Sequence, residues 1–305
     1  MKVPVLLLVF NRPDNTFRVF EEIKKQRPER LFIAADGPRK DKAGEAELCN
    51  QVRSIAALVD WPCDLKTLFR DQNIGCKTAV SSAINWFFDH VEEGIVFEDD
   101  CLPDASFFTF CEAMLDRYRD DERVMHISGN NFQFGIQRGD GSYYFSKYAH
   151  CWGWATWKRA WKKFDVNMEK YPVLKEMGYF DKLFTSEKEA AFWREKFDKV
   201  YSKEVDTVWD YQWSFAVWSN YGLSILPNCN LVTNIGFGAD STHTTSESNL
   251  AYVALQPMER IIHPTAMVPD ITADTYTFKK IFETPFLYKV KIGVKGWLKQ
   301  LGLVR

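Results

Sequence analysis

The stretch Gly94-Ile95-Val96-Phe97-Glu98-Asp99-Asp100-Cys101-Leu102-Pro103-Asp104 constrains this chain more than any other. Ile95, Val96 and Phe97 are a short apolar run bounded by turn signals, which reads as a strand covered on both faces. The run breaks into three consecutive carboxylates, then a proline turn, then a helix carrying Phe107, Phe108 and Phe110. Three acids at one strand end repel one another unless positive charge sits among them. A divalent cation carrying phosphates meets that need, and open α/β sheets bind ligands in the crevice at their strand ends. The plainer reading has Asp104 capping the next helix and the other acids hydrated. Spacing favours the cation and phosphate reading for Glu98-Asp99-Asp100, with Asp104 as the cap.

The surrounding pattern supplies a sheet for that strand. Residues 3–10 predict a first strand, with Asn11-Arg12-Pro13-Asp14 as its exit and Asp14 or Asn15 capping a helix. Residues 31–35 predict a second strand ending in Asp36-Gly37-Pro38-Arg39, followed by a polar helix over 40–58. Residues 64–69 predict a third strand, and Asn73-Ile74-Gly75-Cys76-Lys77 opens a helix running through Phe88. This βαβα order with short loops predicts a mainly parallel sheet wrapped by helices. Right-handed crossovers then bring Asn11, Asp36, Asp99 and Asp100 to one edge. Further on, 124–128 and 142–147 read as strands, and Trp152-Gly153-Trp154 precedes a helix through Trp161. Residues 163–205 read as charged helix broken at Tyr171-Pro172. Val208-Trp209-Asp210 opens another helix, short strands follow at 224–227 and 231–234, and a glycine-spaced loop leads to His243.

A net charge of −2 argues against a nucleic-acid binder, which needs a basic excess. The seven cysteines form no Cys-x-x-Cys pair and read as ordinary thiols of a reducing compartment. Lys2 and the apolar residues after it look superficially like a signal peptide. Asn11-Arg12-Pro13-Asp14, however, stands where a small-residue cleavage site belongs. No apolar run is long enough to span a membrane, so a cytoplasmic setting is expected. Residues 278–305 are basic and amphipathic, with lysines at 279, 280, 289, 291, 295 and 299 against Glu283. Such a segment either lies on an anionic membrane surface or packs on the domain with its lysines hydrated.

The segment 95–110 resembles the Glu-Asp-Asp signature of GT-A fold glycosyltransferases, in the style of the N-acetylglucosaminyltransferase I family and of bacterial hemolytic-protein-like sugar transferases. The strand Val124-Met125-His126-Ile127-Ser128-Gly129-Asn130-Asn131, the Trp152-Gly153-Trp154 element, Val208-Trp209-Asp210 and the loop 234–243 are similar to family elements in the same order. The likeness covers roughly residues 3–245, and four elements in order are more specific than one acidic triplet. It implies a GT-A, Rossmann-like α/β domain over 1–275, with a nucleotide-sugar half at 1–130, an acceptor half at 131–275 and a basic tail at 276–305. It also implies metal-dependent, inverting transfer from a nucleotide diphosphate sugar, a UDP-sugar such as UDP-N-acetylglucosamine, to a glycan or lipid-linked acceptor. By matching position, Asp100 binds Mn²⁺ or Mg²⁺, His243 adds a ligand, and Glu98 and Asp99 contact the donor. Asp36 holds the base, Phe10, Asn11 and Arg12 line the nucleotide pocket, and Asp210 is the general base. Without a long anchor and stem ahead of the first strand, the expected setting is a bacterial-type cytoplasmic enzyme peripheral to the inner membrane face.

The chemistry stands beside the likeness. A departing sugar diphosphate gathers negative charge that a hard divalent ion stabilises, and inversion needs one base opposite the leaving group. Asp210, flanked by Trp209 and Tyr211, serves as that base or as a helix N-cap. Lys77 meets phosphate or simply starts a helix. Trp152 and Trp154, with Trp209, offer faces to a sugar acceptor or fill the core. A non-catalytic glycan-binding protein on a transferase scaffold is the rival reading. A sugar-nucleotide pyrophosphorylase is disfavoured, since its glycine-rich basic loop is replaced here by Asn11-Arg12-Pro13-Asp14.

Overall fold

The computed structural model describes residues 1–237 and 253–283. The first strand is β1 (Val5–Val9), and helix α1 (Pro13–Gln26) follows. Pro13 sits in the first turn, where its missing N–H leaves no bond unmade, so the cap position falls to Arg12 and neither Asp14 nor Asn15 caps. Next come β2 (Arg30–Ala35), α2 (Glu45–Ser54), β3 (Asp64–Phe69), α3 (Cys76–His90) and β4 (Glu93–Glu98). A short β5 (Cys101–Pro103) leads to α4 (Ala105–Arg117), capped as expected by the Asp104 carboxylate, which accepts from the Ser106 amide at 2.8 Å.

The second half adds β6 (Val124–Ser128), β7 (Tyr143–Ser146), β8 (Trp154–Trp157) and α5 (Lys158–Trp161). Short helices α6 (Tyr171–Glu176) and α7 (Tyr179–Leu183) precede α8 (Glu187–Tyr201) and α9 (Asp210–Ser219). The Tyr171-Pro172 pair thus starts a helix rather than breaking one, for the same reason as Pro13. Strands β9 (Leu223–Pro227) and β10 (Val232–Asn234) follow, and α10 (Ile271–Thr277) continues into a π-helical turn over Phe278–Phe282. That helix runs across residue 276, and the tail segment 284–305 lies outside the described residues.

The main sheet has the order β3-β2-β1-β4-β8-β6-β9-β7. Strands β3, β2, β1 and β4 are mutually parallel, and β9 is parallel to β6. Antiparallel β8 lies between β4 and β6, and antiparallel β7 closes the edge. This is the expected α/β class, a mainly parallel sheet flanked by helices. β8 is the departure: the sequence reads as the approach to a helix, whereas residues 154–157 are fully buried and fill the centre of the sheet.

Side chains alternate between two cores. Val5, Leu7 and Val9 of β1 meet α1, α2 and α4, whereas Leu6 and Leu8 meet α3 and the helices of the second half. Each such buried aliphatic contributes about 2 kcal/mol. Two glycines let a small β5–β10 ribbon close over the first core, because a Cβ on Gly129 would lie 2.4 Å from Val232 Cγ2 and one on Gly153 2.8 Å from the same atom. The chain turns of β1, β2, β4 and β6 consequently leave at one edge, and β8 enters from it.

Candidate active site

The topological switch falls between β1 and β4, since α1 packs on one face of the sheet and α3 on the other. The exits of these two strands meet. Arg12 Nη1 lies 2.9 Å from Asp100 Oδ2 and 3.3 Å from Asp99 Oδ1. The positive charge that the acidic triplet demands is therefore supplied in part by this chain. It does not suffice. Burial, then Asp100, Asp99 and Asp210, hold the Glu98 carboxyl above its usual range, with Arg12 opposing. Burial and Asp100 do the same to Asp99 against the pull of Arg12. Among the described residues carboxylates outnumber the guanidinium here, and such a place favours further positive charge.

Asp100 is held by its surroundings on the β5–β10 side. Its carbonyl accepts from the Ile235 amide at 2.8 Å, and a Cβ on Gly236 would sit 2.3 Å from Asp100 Oδ2. Only glycine lets the chain after β10 pass that close. Among the described residues no three His, Cys, Asp or Glu side chains come together as a metal-binding group. His243 lies outside the described residues. The donor set present, hard carboxylate oxygens in surplus at a strand end, suits an ion that takes one or two protein carboxylates and shares the rest of its shell with phosphates.

Asp36, at the exit of β2, is 7 % exposed, and its carboxylate accepts from the amides of Gly37 (2.9 Å), Ile74 (3.1 Å) and Gly75 (3.2 Å). It fastens the loop ahead of α3, and Asn73 Nδ2 returns a bond to the Gly37 carbonyl at 3.0 Å. Asn11 Nδ2 donates to Glu45 Oε1 at 3.0 Å, so β1 and α2 are joined beside the switch point. Lys77, in the first turn of α3, reaches Asp206 Oδ1 at 2.6 Å, just ahead of α9.

Asp210 opens α9, whose start is fixed by aromatic packing. Trp209 stacks on Trp154 at 5.7 Å with rings 24° apart, and Trp154 stacks on His126 at 5.1 Å. Trp213 Nε1 donates to His126 Nδ1 at 3.1 Å, which leaves the imidazole proton on Nε2, toward Ser128 Oγ and the His150 carbonyl. Burial drives His126 down to about 3, so the ring is neutral scaffold. Asp210 reaches far enough to help raise Glu98, behind burial, Asp100 and Asp99. Trp154 and Trp209 are buried in this stack, the core-filling one of the two readings, and the desolvated stack is what positions α9. Trp152 is half-buried, edge-on to Phe132 and Phe237, and packs against the first core.

The residues missed in the sequence are Glu45, Arg39, Cys76 and Asp206. Glu45 looks like a helix-surface acid, and only its distance of six residues from Arg39, just past a strand exit, hints at the pair.

No protein-family model matches the sequence, and no curated protein matches it. Among solved structures it is similar to S. aureus TarS residues 1–349, with a TM-score of 0.39 and 10% identity over 75% of this chain and 58% of that one. A longer S. aureus TarS structure gives 0.39 and 11% over 74% of this chain and 35% of that one. HddC from Yersinia pseudotuberculosis gives 0.30 and 14% over 52% and 77%. The chain thus spans little more than half of the first TarS structure. Likenesses this distant carry no argument about activity, which rests on the crevice itself.

Proposed function

We propose that this chain is a glycosyltransferase that moves a sugar from a nucleotide diphosphate donor to a hydroxyl of a glycan or lipid-linked saccharide, with inversion. A UDP-sugar, UDP-N-acetylglucosamine first, is the donor to try. The observation that carries the reading is the surplus of carboxylates at the β1–β4 switch point, with Asp210 delivered to it from a separate helix. Among the described residues Arg12 stands against Glu98, Asp99 and Asp100 together, an acid-rich setting that suits a cation arriving with a diphosphate. Asp100 would hold Mn²⁺ or Mg²⁺, with His243 as the further ligand that the family resemblance suggests. When bound, such an ion supplies a Lewis acid for the charge that gathers on the diphosphate.

The chain's own residues divide the remaining work. Asp36, Asn11 and Phe10 form the wall for the nucleoside, while Glu98 and Asp99 face the donor sugar and ribose. In the transfer, the acceptor oxygen bonds to the anomeric carbon as the bond from that carbon to the diphosphate oxygen breaks. The electron pair leaves on the diphosphate, and the acceptor proton passes to the Asp210 carboxylate. Membrane contact, if the tail provides it, would come from residues 278–305; among the described residues no helix is long and apolar enough to cross a membrane.

Calorimetry with UDP, GDP, CMP and their sugar conjugates, with and without Mn²⁺, tests the reading. One nucleotide should bind more tightly with metal in the wild type and lose that gain in Asp100→Ala. Absence of nucleotide binding under every condition would overturn the reading in favour of a glycan-binding scaffold.

A further inference from the structure

Glu45 is 4 % exposed, yet it is an acid at the start of a surface helix. Its burial is matched by partners from two strand exits. Oε1 accepts from Asn11 Nδ2 at 3.0 Å, and Oε2 accepts from the Arg39 backbone amide at 2.7 Å. The Arg39 side chain adds Nε at 3.0 Å and 3.1 Å to the two oxygens, and Nη2 pairs with Oε1. The guanidinium then lies over the Phe10 ring, 5.5 Å from its centroid. The Arg39 side chain is nonetheless 44% exposed.

This geometry separates the edge of the guanidinium from its face. Phosphate recognition needs the N–H edge, whose Nε and Nη2 are committed to Glu45. The face is another matter. The guanidinium carbon lies over Phe10, at the exit of β1 beside Asn11, and the side chain keeps 44% of its surface exposed. A planar, fixed guanidinium stacks well on flat rings, and a lysine in its place does not.

We propose that Arg39, locked by Glu45 and backed by Phe10, is the stacking platform for the donor's nucleobase, and that Glu45 is the positioning residue that turns its face outward. This rests on the nucleotide-donor reading above and names a contact that reading lacks. The platform recognises a flat heterocycle and is indifferent to the diphosphate.

The test is calorimetric titration of the full chain with Mn²⁺ and, separately, UDP, GDP, CDP, ADP and inorganic pyrophosphate. For whichever nucleoside diphosphate the wild type binds, Arg39→Ala and Arg39→Lys should both weaken binding about tenfold. Pyrophosphate should bind all three proteins alike. Glu45→Gln, which keeps the volume and loosens the lock, should fall between wild type and Arg39→Ala. Full rescue by Arg39→Lys would mean that charge and not the plane is read, and would overturn the proposal. Unchanged nucleotide binding in Arg39→Ala would do the same while leaving the transferase reading intact. A wild type that binds pyrophosphate but no nucleoside diphosphate would sink both. Because Arg39→Lys retains a donor for Glu45, it keeps the test readable should Arg39→Ala fail to fold.

Discussion

Two acidic clusters among the described residues differ in how their charge is answered. At the β1–β4 switch point, Glu98, Asp99 and Asp100 share Arg12 where the strands end, and Glu98 and Asp100 keep part of their surface exposed. Between β7, α8 and α10, Glu189 and Asp274 are 1 % and 3 % exposed and closed in on all sides. There Lys147 Nζ pairs with Glu189 at 3.1 Å, and the Tyr148 hydroxyl donates to the same carboxylate. Asp274 accepts from the Ser146 hydroxyl and, at 3.3 Å, from the Lys147 amide. Burial lifts acids in both clusters, so a raised carboxyl does not by itself mark a site. What separates them is closure. The second cluster finds its partners within one wall and pins α10 to the sheet, whereas the first, among the described residues, sets three carboxylates against Arg12 where chains leave the sheet.

The sharpest way to break that contrast is to neutralise one acid at each place. Asp210→Asn should reduce transfer on the order of 10²–10⁴-fold while the urea midpoint stays put. Glu189→Ala should do the reverse. Leaving Lys147 buried without its partner costs about 3–5 kcal/mol in urea unfolding, with nucleotide affinity of the folded fraction unchanged. A stability loss in Asp210→Asn as large as that in Glu189→Ala would mean that the two clusters are the same kind of structure.

The closed cluster also has a pH signature. Burial, ahead of the opposing Ser146 bond and Lys147, raises Asp274 to about 6. Its folded value lies above the unfolded one, so the folded state binds the extra proton between about 4 and 6 and stability falls as pH rises through that window. Asp274→Asn removes this slope. Variant stability minus wild-type stability should therefore grow by about 2–3 kcal/mol between pH 4 and pH 7 in urea titrations. His126 and His150, both lowered to about 3 by burial, tilt the other way, losing stability as pH falls below 6.5. That tilt is present in both proteins and cancels in the difference. A flat difference would show that Asp274 ionises in the folded chain as readily as in the unfolded one.

The contrast was half legible in the sequence. β1 to β4 announce themselves because each apolar run is short, bounded and separated by a helix, and the acids after Phe97 interrupt the pattern abruptly. β8 does not, because Trp154 to Trp157 make four buried residues directly joined to α5, and nothing local distinguishes such a strand from a helix approach. Its place between β4 and β6 is decided by pairings with residues 93–96 and 127–128. The same long range hides Lys147 and Glu189, whose pairing joins residues 42 apart in sequence. Asp36 was visible as an acid at a strand end, but its three amide partners belong to the turn and the loop around it.

The smallest expected effect probes the border of the open cluster. Lys77 is largely covered, yet its partner Asp206 is mostly exposed, so the pair holds the segment before Asp210 against α3 at little gain in stability. In the donor-binding reading the Lys77 ammonium exchanges Asp206 for phosphate. Lys77→Met should then weaken the nucleoside diphosphate about tenfold. Asp206→Asn, which frees the lysine, should tighten it by at most about fivefold, with no shift in the unfolding midpoint. Opposite signs for the two variants are the point of the experiment, because a merely structural ion pair predicts the same sign for both. Equal weakening by both variants would assign the bridge to the wall of the crevice, alongside Asp36, and take Lys77 out of the phosphate site.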